Sequence, residues 1–240
     1  MDSVGASRRE FILKTGLLAA LSATVGMPVA AWAAEETPKA KAPEIEVLPA
    51  EDLMREHGVL RRVLLIYGEA VRRIEAREEV PPDGLTAAAW MIRSFVEDYH
   101  EKLEEEYLFP RFCKAEVLTD LVEVLSRQHK AGRRVTGLVL ELATPGALKD
   151  AGNRRRLADA LRMFIRMYAP HAAREDTVLF PAMHRLWTPG EYREMGEVFE
   201  KRERELFGED GFEKWVAQVA EIEKQFGIYE LAQFTPEIAG

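Results

Sequence analysis

The sequence predicts an all-α protein built around an antiparallel, up-down-up-down four-helix bundle with a short C-terminal helical extension. Three observations lead there. Apolar residues recur at helical spacing from Glu51 onward, no segment alternates as a half-buried strand would, and a pair of helices occurs twice. The segment HEKLEEEYLFP, His100 to Pro110, returns as HAAREDTVLFP, His171 to Pro181, at an offset of 71. Upstream, Arg55-Glu56-His57 followed by Arg61-Arg62-Val63 matches Arg127-Gln128-His129 followed by Arg133-Arg134-Val135 at an offset of 72. A single helix pair cannot bury its apolar stripe, whereas two antiparallel pairs can cover one another.

The first helix runs from Glu51 to near Arg77, with Leu53, Val59, Leu60, Val63, Leu64, Ile66 and Tyr67 along one face. Pro81-Pro82-Asp83-Gly84 is a turn, with Asp83 or Thr86 available as a cap. A second helix extends from about Leu85 through Trp90, Ile92, Phe95, Val96 and Tyr99 to Pro110. The third carries Val117, Leu121, Val124, Leu125, Val135, Leu138 and Leu142 and stops at Thr144-Pro145-Gly146. The fourth starts near Asn153 and carries Leu157, Leu161, Phe164, Ile165 and Tyr168 to Pro181 and beyond. Each proline of the Leu-Phe-Pro triplets lacks an N–H and crowds the carbonyl four residues back, so both helices are expected to end or kink there.

Four segments follow from this reading. Residues 1–33 have a basic start, an apolar run and small residues at the end, the layout of an export signal; Ser7-Arg8-Arg9-Glu10-Phe11 with Lys14 resembles the bacterial twin-arginine signal. Ala31-Trp32-Ala33 fits a cleavage site, giving a mature start near Ala34. The expected location is therefore the periplasm, reached through the twin-arginine export machinery, with no membrane span left after processing. Residues 34–49, rich in Pro, Lys, Glu and Ala, read as a linker, and 50–187 as the bundle. Residues 188–240 read as two further amphipathic helices, opened by Thr188-Pro189.

Bulk properties narrow the function. With 31% charged residues and a net charge of −8, the chain repels nucleic acid and anionic lipid, and Arg154-Arg155-Arg156 reads as a solvated helix start. A single cysteine, Cys113, excludes an intramolecular disulfide and any thiolate-built zinc or iron–sulfur site, and reads as a small, partly buried residue.

The chemistry-bearing pattern lies in the histidines. Four of the five fall one per bundle helix: His57, His100, His129 and His171. The second and fourth helices add Glu104 and Glu175 four residues after their histidine, and four residues advance a helix by about 400°, which puts each pair on one face. Pointed inward, six such donors would be costly if left empty. They exceed the four that a tetrahedral zinc site takes, and suit two cations sharing two bridging carboxylates. Imidazole with carboxylate suits iron best, with manganese and zinc as alternatives. Glu105 and Glu106 read as a solvated charge run, and His184 points away from the set.

One histidine in each odd helix and HxxxE in each even helix resembles the hemerythrin-like HHE cation-binding family, over roughly Glu51 to Trp187. The resemblance implies a non-haem di-iron centre ligated by His57, His100, His129 and His171 and bridged by Glu104 and Glu175. It also implies a small diatomic or peroxide ligand and an electron donor. The chain departs from the oxygen carriers at two places: Arg133 stands where their third helix has a second histidine, and His171 with Glu175 replaces their HxxxxD. Glu97 and Tyr168, each three residues before a histidine, are candidates to support or complete the set. The expected function is binding or reduction of O2, peroxide or nitric oxide at this centre of four histidines and two glutamates. The alternatives are a non-catalytic cation-binding or storage module and a helical interaction protein.

Overall fold

Six long helices follow one another through the computed structural model, which describes residues 48–237, and no strand occurs among those residues. Helix α1 is Pro49–Ala76. Helix α2 runs unbroken through 82–114, α3 is Thr119–Leu142, and α4 runs unbroken through 151–183. Helices α5 (Pro189–Phe207) and α6 (Gly211–Gln225) complete the chain. The expected export signal and most of the expected linker lie outside the described residues. No helix of the described residues is long and apolar enough to cross a membrane.

The repeated Leu-Phe-Pro triplets neither end nor break their helices. In α2 the turn Glu104–Leu108 is π-helical, and in α4 so is Glu175–Leu179; the N–H of Phe109 bonds the Glu104 carbonyl, and that of Phe180 the Glu175 carbonyl, five residues back. The carbonyls that Pro110 and Pro181 would crowd belong to Glu106 and Thr177, inside these widened turns. The strain expected at each proline is thus absorbed by a π turn, and the helix continues to Lys114 or Met183. A longer π segment, Ile92–His100, precedes the first of these in α2.

Helix α4 packs against both α1 and α3, and the Ile92–His100 segment of α2 packs against the same two helices. Leu53, Leu60, Val63 and Tyr67 of α1 meet Phe95 and Tyr99 of α2, Leu125 and Val139 of α3, and Leu161 and Phe164 of α4 in the apolar core, all nearly or fully buried. Tyr67 and Phe164 cross edge to face at 5.4 Å. Two residues of the expected apolar faces are outside this core: Trp90 is 55% exposed and Val124 39%. Cys113, expected to be partly buried, is exposed.

The C-terminal helices pack onto this core. The Thr188 hydroxyl and Glu191 form a reciprocal capping box that starts α5 after Trp187. Phe207, Phe212 and Trp215 surround Phe95 at 5.4–6.4 Å, and Arg62 of α1 donates two hydrogen bonds to Glu223 of α6. At the start of α2 neither expected cap acts: Pro81 is the N-cap and Thr86 donates to the Ala143 carbonyl instead. Asp150 caps α4 through the N–H of Asn153.

Candidate metal centre

Each long helix of the repeat delivers its share of the donor set inward. α1 brings His57, α2 brings His100 and Glu104, α3 brings His129, and α4 brings His171 and Glu175; none is more than 4% exposed. The six converge as two groups of three, His57-His100-Glu104 and His129-His171-Glu175, with the ligand atoms of each group within 4.8 Å of one another. The Nε2 atoms of His57 and His100 stand 3.1 Å apart, and those of His129 and His171 3.3 Å apart. Such spacing suits nitrogens that share one cation at about 2.1 Å.

The carboxylates lie between the two groups. Glu104 faces His100 Nε2 with Oε1 at 3.7 Å and His129 Nε2 with Oε2 at 3.4 Å. Glu175 Oε2 lies 3.3 Å from His57 Nε2 and 3.1 Å from His171 Nε2. No hydrogen bond reaches any of the four oxygens of Glu104 and Glu175, although both residues are fully buried. A buried carboxylate without a donor costs several kcal/mol even after relaxation, on the order of the penalty for an uncompensated ion. The donor set therefore fits a pair of cations between the carboxylates.

Electrostatics of the cluster agree. Burial drives the Glu104 carboxyl well above its usual range, reinforced by the charge of Glu175. Burial also works against ionised Glu175, but His171 and His57 outweigh it and hold that carboxyl low. For His57, burial opposes the charge, and the hydrogen bond to Asp176 together with the negative charges of Glu175 and Asp176 overcomes it, pushing the pKa up to about 9. Burial instead takes His129 down to about 4. Protons thus stand in unevenly for cations among donors packed too closely to share one ionisation state.

Behind each imidazole stands an acceptor on Nδ1. His57 meets Asp176 at 2.6 Å, His100 meets Glu56 at 2.7 Å, His129 meets Glu105 at 3.1 Å, and His171 meets Gln128 at 2.8 Å. Carboxylate and amide oxygens can only accept, so each ring carries its proton on Nδ1 and turns Nε2 to the centre. Sequence reasoning missed these four residues and assigned Glu105 to solvent. It is half-buried, with Lys102 and Arg133 also on its carboxylate, and its pKa falls to about 2: burial raises it, but the bonds from His129, Lys102 and Arg133 win. The signal was present in the repeat: Glu56 and Gln128 precede equivalent histidines, and Glu105 and Asp176 follow equivalent glutamates. Glu106 is exposed as expected, and His184 lies apart against Tyr192.

The remaining candidates are engaged elsewhere. Glu97 accepts from Thr136 at 2.5 Å and pairs with Arg93 at 2.6 Å. The Tyr168 hydroxyl donates to Glu101 at 2.6 Å, while its ring sits edge-on to His171. Gly132 makes room for that tyrosine, because a Cβ there would collide with the Tyr168 hydroxyl. Arg133, in place of a second histidine, ties Glu101 to Glu105 at 2.8 Å each. Glu101 is held up at about 8 by burial, against the pull of Tyr168 and Arg133.

Two clefts lead toward the cluster. Between α3 and α4 an apolar cleft of about 480 Å³, walled by Leu121, Val124, Pro170 and Val178, reaches Gln128 and His171. Between α2 and α3 a cleft of about 760 Å³ reaches Glu105 and Phe109, flanked by Lys102, Arg127, Lys130 and Arg133.

A protein whose described residues form helices and no strand, and which encloses six buried imidazole and carboxylate donors, is, as a class, a cation-binding helical protein. The chain belongs to the hemerythrin HHE cation-binding domain family, whose model matches residues 48–182. The same model matches again over 120–227, beginning 72 residues further on, which is the spacing of the internal repeat. The chain is 50% identical over 193 residues to the uncharacterized proteins Mb2018 of Mycobacterium bovis and Rv1995 of Mycobacterium tuberculosis. The aligned part covers 80% of this chain and 76% of each of theirs. No solved structure matches the chain.

Proposed function

We propose that the protein is a di-iron protein of the cell envelope that binds or reduces O2, peroxide or nitric oxide. His57, His100, His129 and His171 would be its ligands and Glu104 and Glu175 its bridges. The observation that carries this reading is the pair of buried carboxylates, Glu104 and Glu175, whose oxygens accept no hydrogen bond and which between them face four Nε2 atoms. The long helices would act as an antiparallel four-helix bundle gripping the cations from both repeats. Bound as a ferrous pair, the metals would supply two electrons and an open coordination position. The chain supplies the rest. Asp176, Glu56, Glu105 and Gln128 orient the rings, Phe180 and Phe109 stack on His57 and His129 at 5.5 and 5.4 Å, and the apolar cleft beside His171 suits a small uncharged molecule. Arg133, where the oxygen carriers place another histidine, leaves fewer imidazoles than they use, which favours reduction or sensing over reversible carriage.

The export reading supports an envelope location, with the fold and metal acquired before transport; fractionation of cells expressing the full chain tests it directly. For the centre, metal analysis of protein from its own host should give two irons. The anaerobically reduced protein should change its electronic spectrum on addition of O2 or NO. Two irons with a spectrum indifferent to O2, peroxide and NO would overturn the redox reading, and a zinc-filled native site would leave a cation-binding module.

A further inference from the structure

The two halves of the cluster come from one repeated unit yet are backed differently. Both Nδ1 partners of the His57–His100 half are carboxylates, Asp176 and Glu56. In the His129–His171 half one partner is a carboxylate, Glu105, and the other an amide, Gln128. Glu56 and Gln128 hold equivalent positions, each preceding the first histidine of its copy and each bonded to the second histidine of that copy, at 2.7 and 2.8 Å. The surrounding charges widen the difference. Asp176 shares its charge with Arg61 alone among these contacts, whereas Glu105 is shared with both Lys102 and Arg133. Arg133 reaches Glu101 as well, so two cationic side chains stand against two carboxylates behind His129.

A carboxylate that accepts an imidazole N–H makes the opposite nitrogen a stronger donor to a cation; a neutral amide does this less. The His57–His100 half therefore has the richer donors. We infer that the two cation seats are unequal: the seat at His57, His100 and Glu104 binds more tightly and fills first, the seat at His129, His171 and Glu175 follows, and Glu56 opposite Gln128 sets the order. This inference rests on reading the cluster as a paired cation site. The weaker seat is also the one beside the apolar cleft, where an incoming small molecule would meet the less firmly held metal.

The test uses metal-free full chain with 15N-labelled histidine, titrated with zinc as a redox-silent probe. There are only five histidines, so each ring signal can be assigned from single variants. Up to one equivalent, the His57 and His100 signals should shift; those of His129 and His171 should follow with the second. The two affinities should differ by about tenfold or more, the usual scale for changing a ligand's hydrogen-bond partner. In the swapped variant Glu56→Gln/Gln128→Glu the order of filling should reverse, while Gln128→Glu alone should bring the affinities together. Simultaneous movement of all four signals in the unaltered chain, or an unchanged order in the swap, overturns the inequality. No movement of any signal at two equivalents overturns the cation reading itself, so the two failures are distinct.

Discussion

Along α1 and α4 the interior changes character within about 15 Å, the rise of ten helical residues. Around Tyr67 and Phe164 it is packed rings and aliphatic side chains, closed to solvent. Around His57 and His171 it holds imidazoles and carboxylates equally deep, among them four oxygens that no hydrogen bond reaches. The first region is stable through its packing alone. The second is buried at a cost that protons offset in part and that a bound pair of cations would offset more fully. Stability and cation binding are thus assigned to different stretches of the same helices.

That division can be broken most forcefully at the packed region. Phe164→Ala removes a fully buried ring and should cost about 3–5 kcal/mol of stability, read by chemical denaturation in chelator, while metal stoichiometry of the folded variant stays the same. If metal binding vanished with it, the two regions would not be separable. At the cluster, removing metal should lower the melting temperature by on the order of 10 °C. A ligand held at 1,000 times its dissociation constant adds about 4 kcal/mol, worth about 2–4 °C per kcal/mol at this size. The double variant His100→Ala/His171→Ala should melt alike with and without metal, and a persisting gap would mean that the cations sit elsewhere.

Gly132→Ala probes the seam between the regions. The added methyl has to displace the Tyr168 hydroxyl from Glu101, an overpacking cost of about 1–3 kcal/mol, with both cation seats intact. The pH response of the metal-free protein sharpens the comparison further. His57 has its pKa raised from 6.5 to about 9, so its protonated form contributes stability that is complete below pH 6.5 and disappears as pH rises through about 9. Thermal melts of the chelated protein across that range should show the decline, and His57→Gln should flatten it. Metal uptake near neutral pH should accordingly release a proton, measurable in weakly buffered solution.

The six donors were legible because a duplicated pattern places the same residue types at 57 and 129, 100 and 171, and 104 and 175. Their Nδ1 partners were not. Glu105 stands in a run of three glutamates whose spacing alone suits a wet helix face, and only α3 crossing beside it turns that side chain toward His129. Likewise the sequence marked Pro110 and Pro181 as helix breakers. It could not reveal that a π turn starting at each cluster glutamate would carry the helix past them, since a shift to bonds five residues back leaves no mark in the residue spacing.

By itself, then, the sequence determined the helical class, the duplication and the donor set, because all three are periodic and local: a helix repeats every 3.6 residues whatever surrounds it. The tertiary structure alone decided which acceptor stands behind which imidazole, and with it the contrast between Glu56 and Gln128. Those contacts join residues about forty positions or more than a hundred apart, except for Glu105 and His129, and no one-dimensional spacing encodes the angle at which two helices meet.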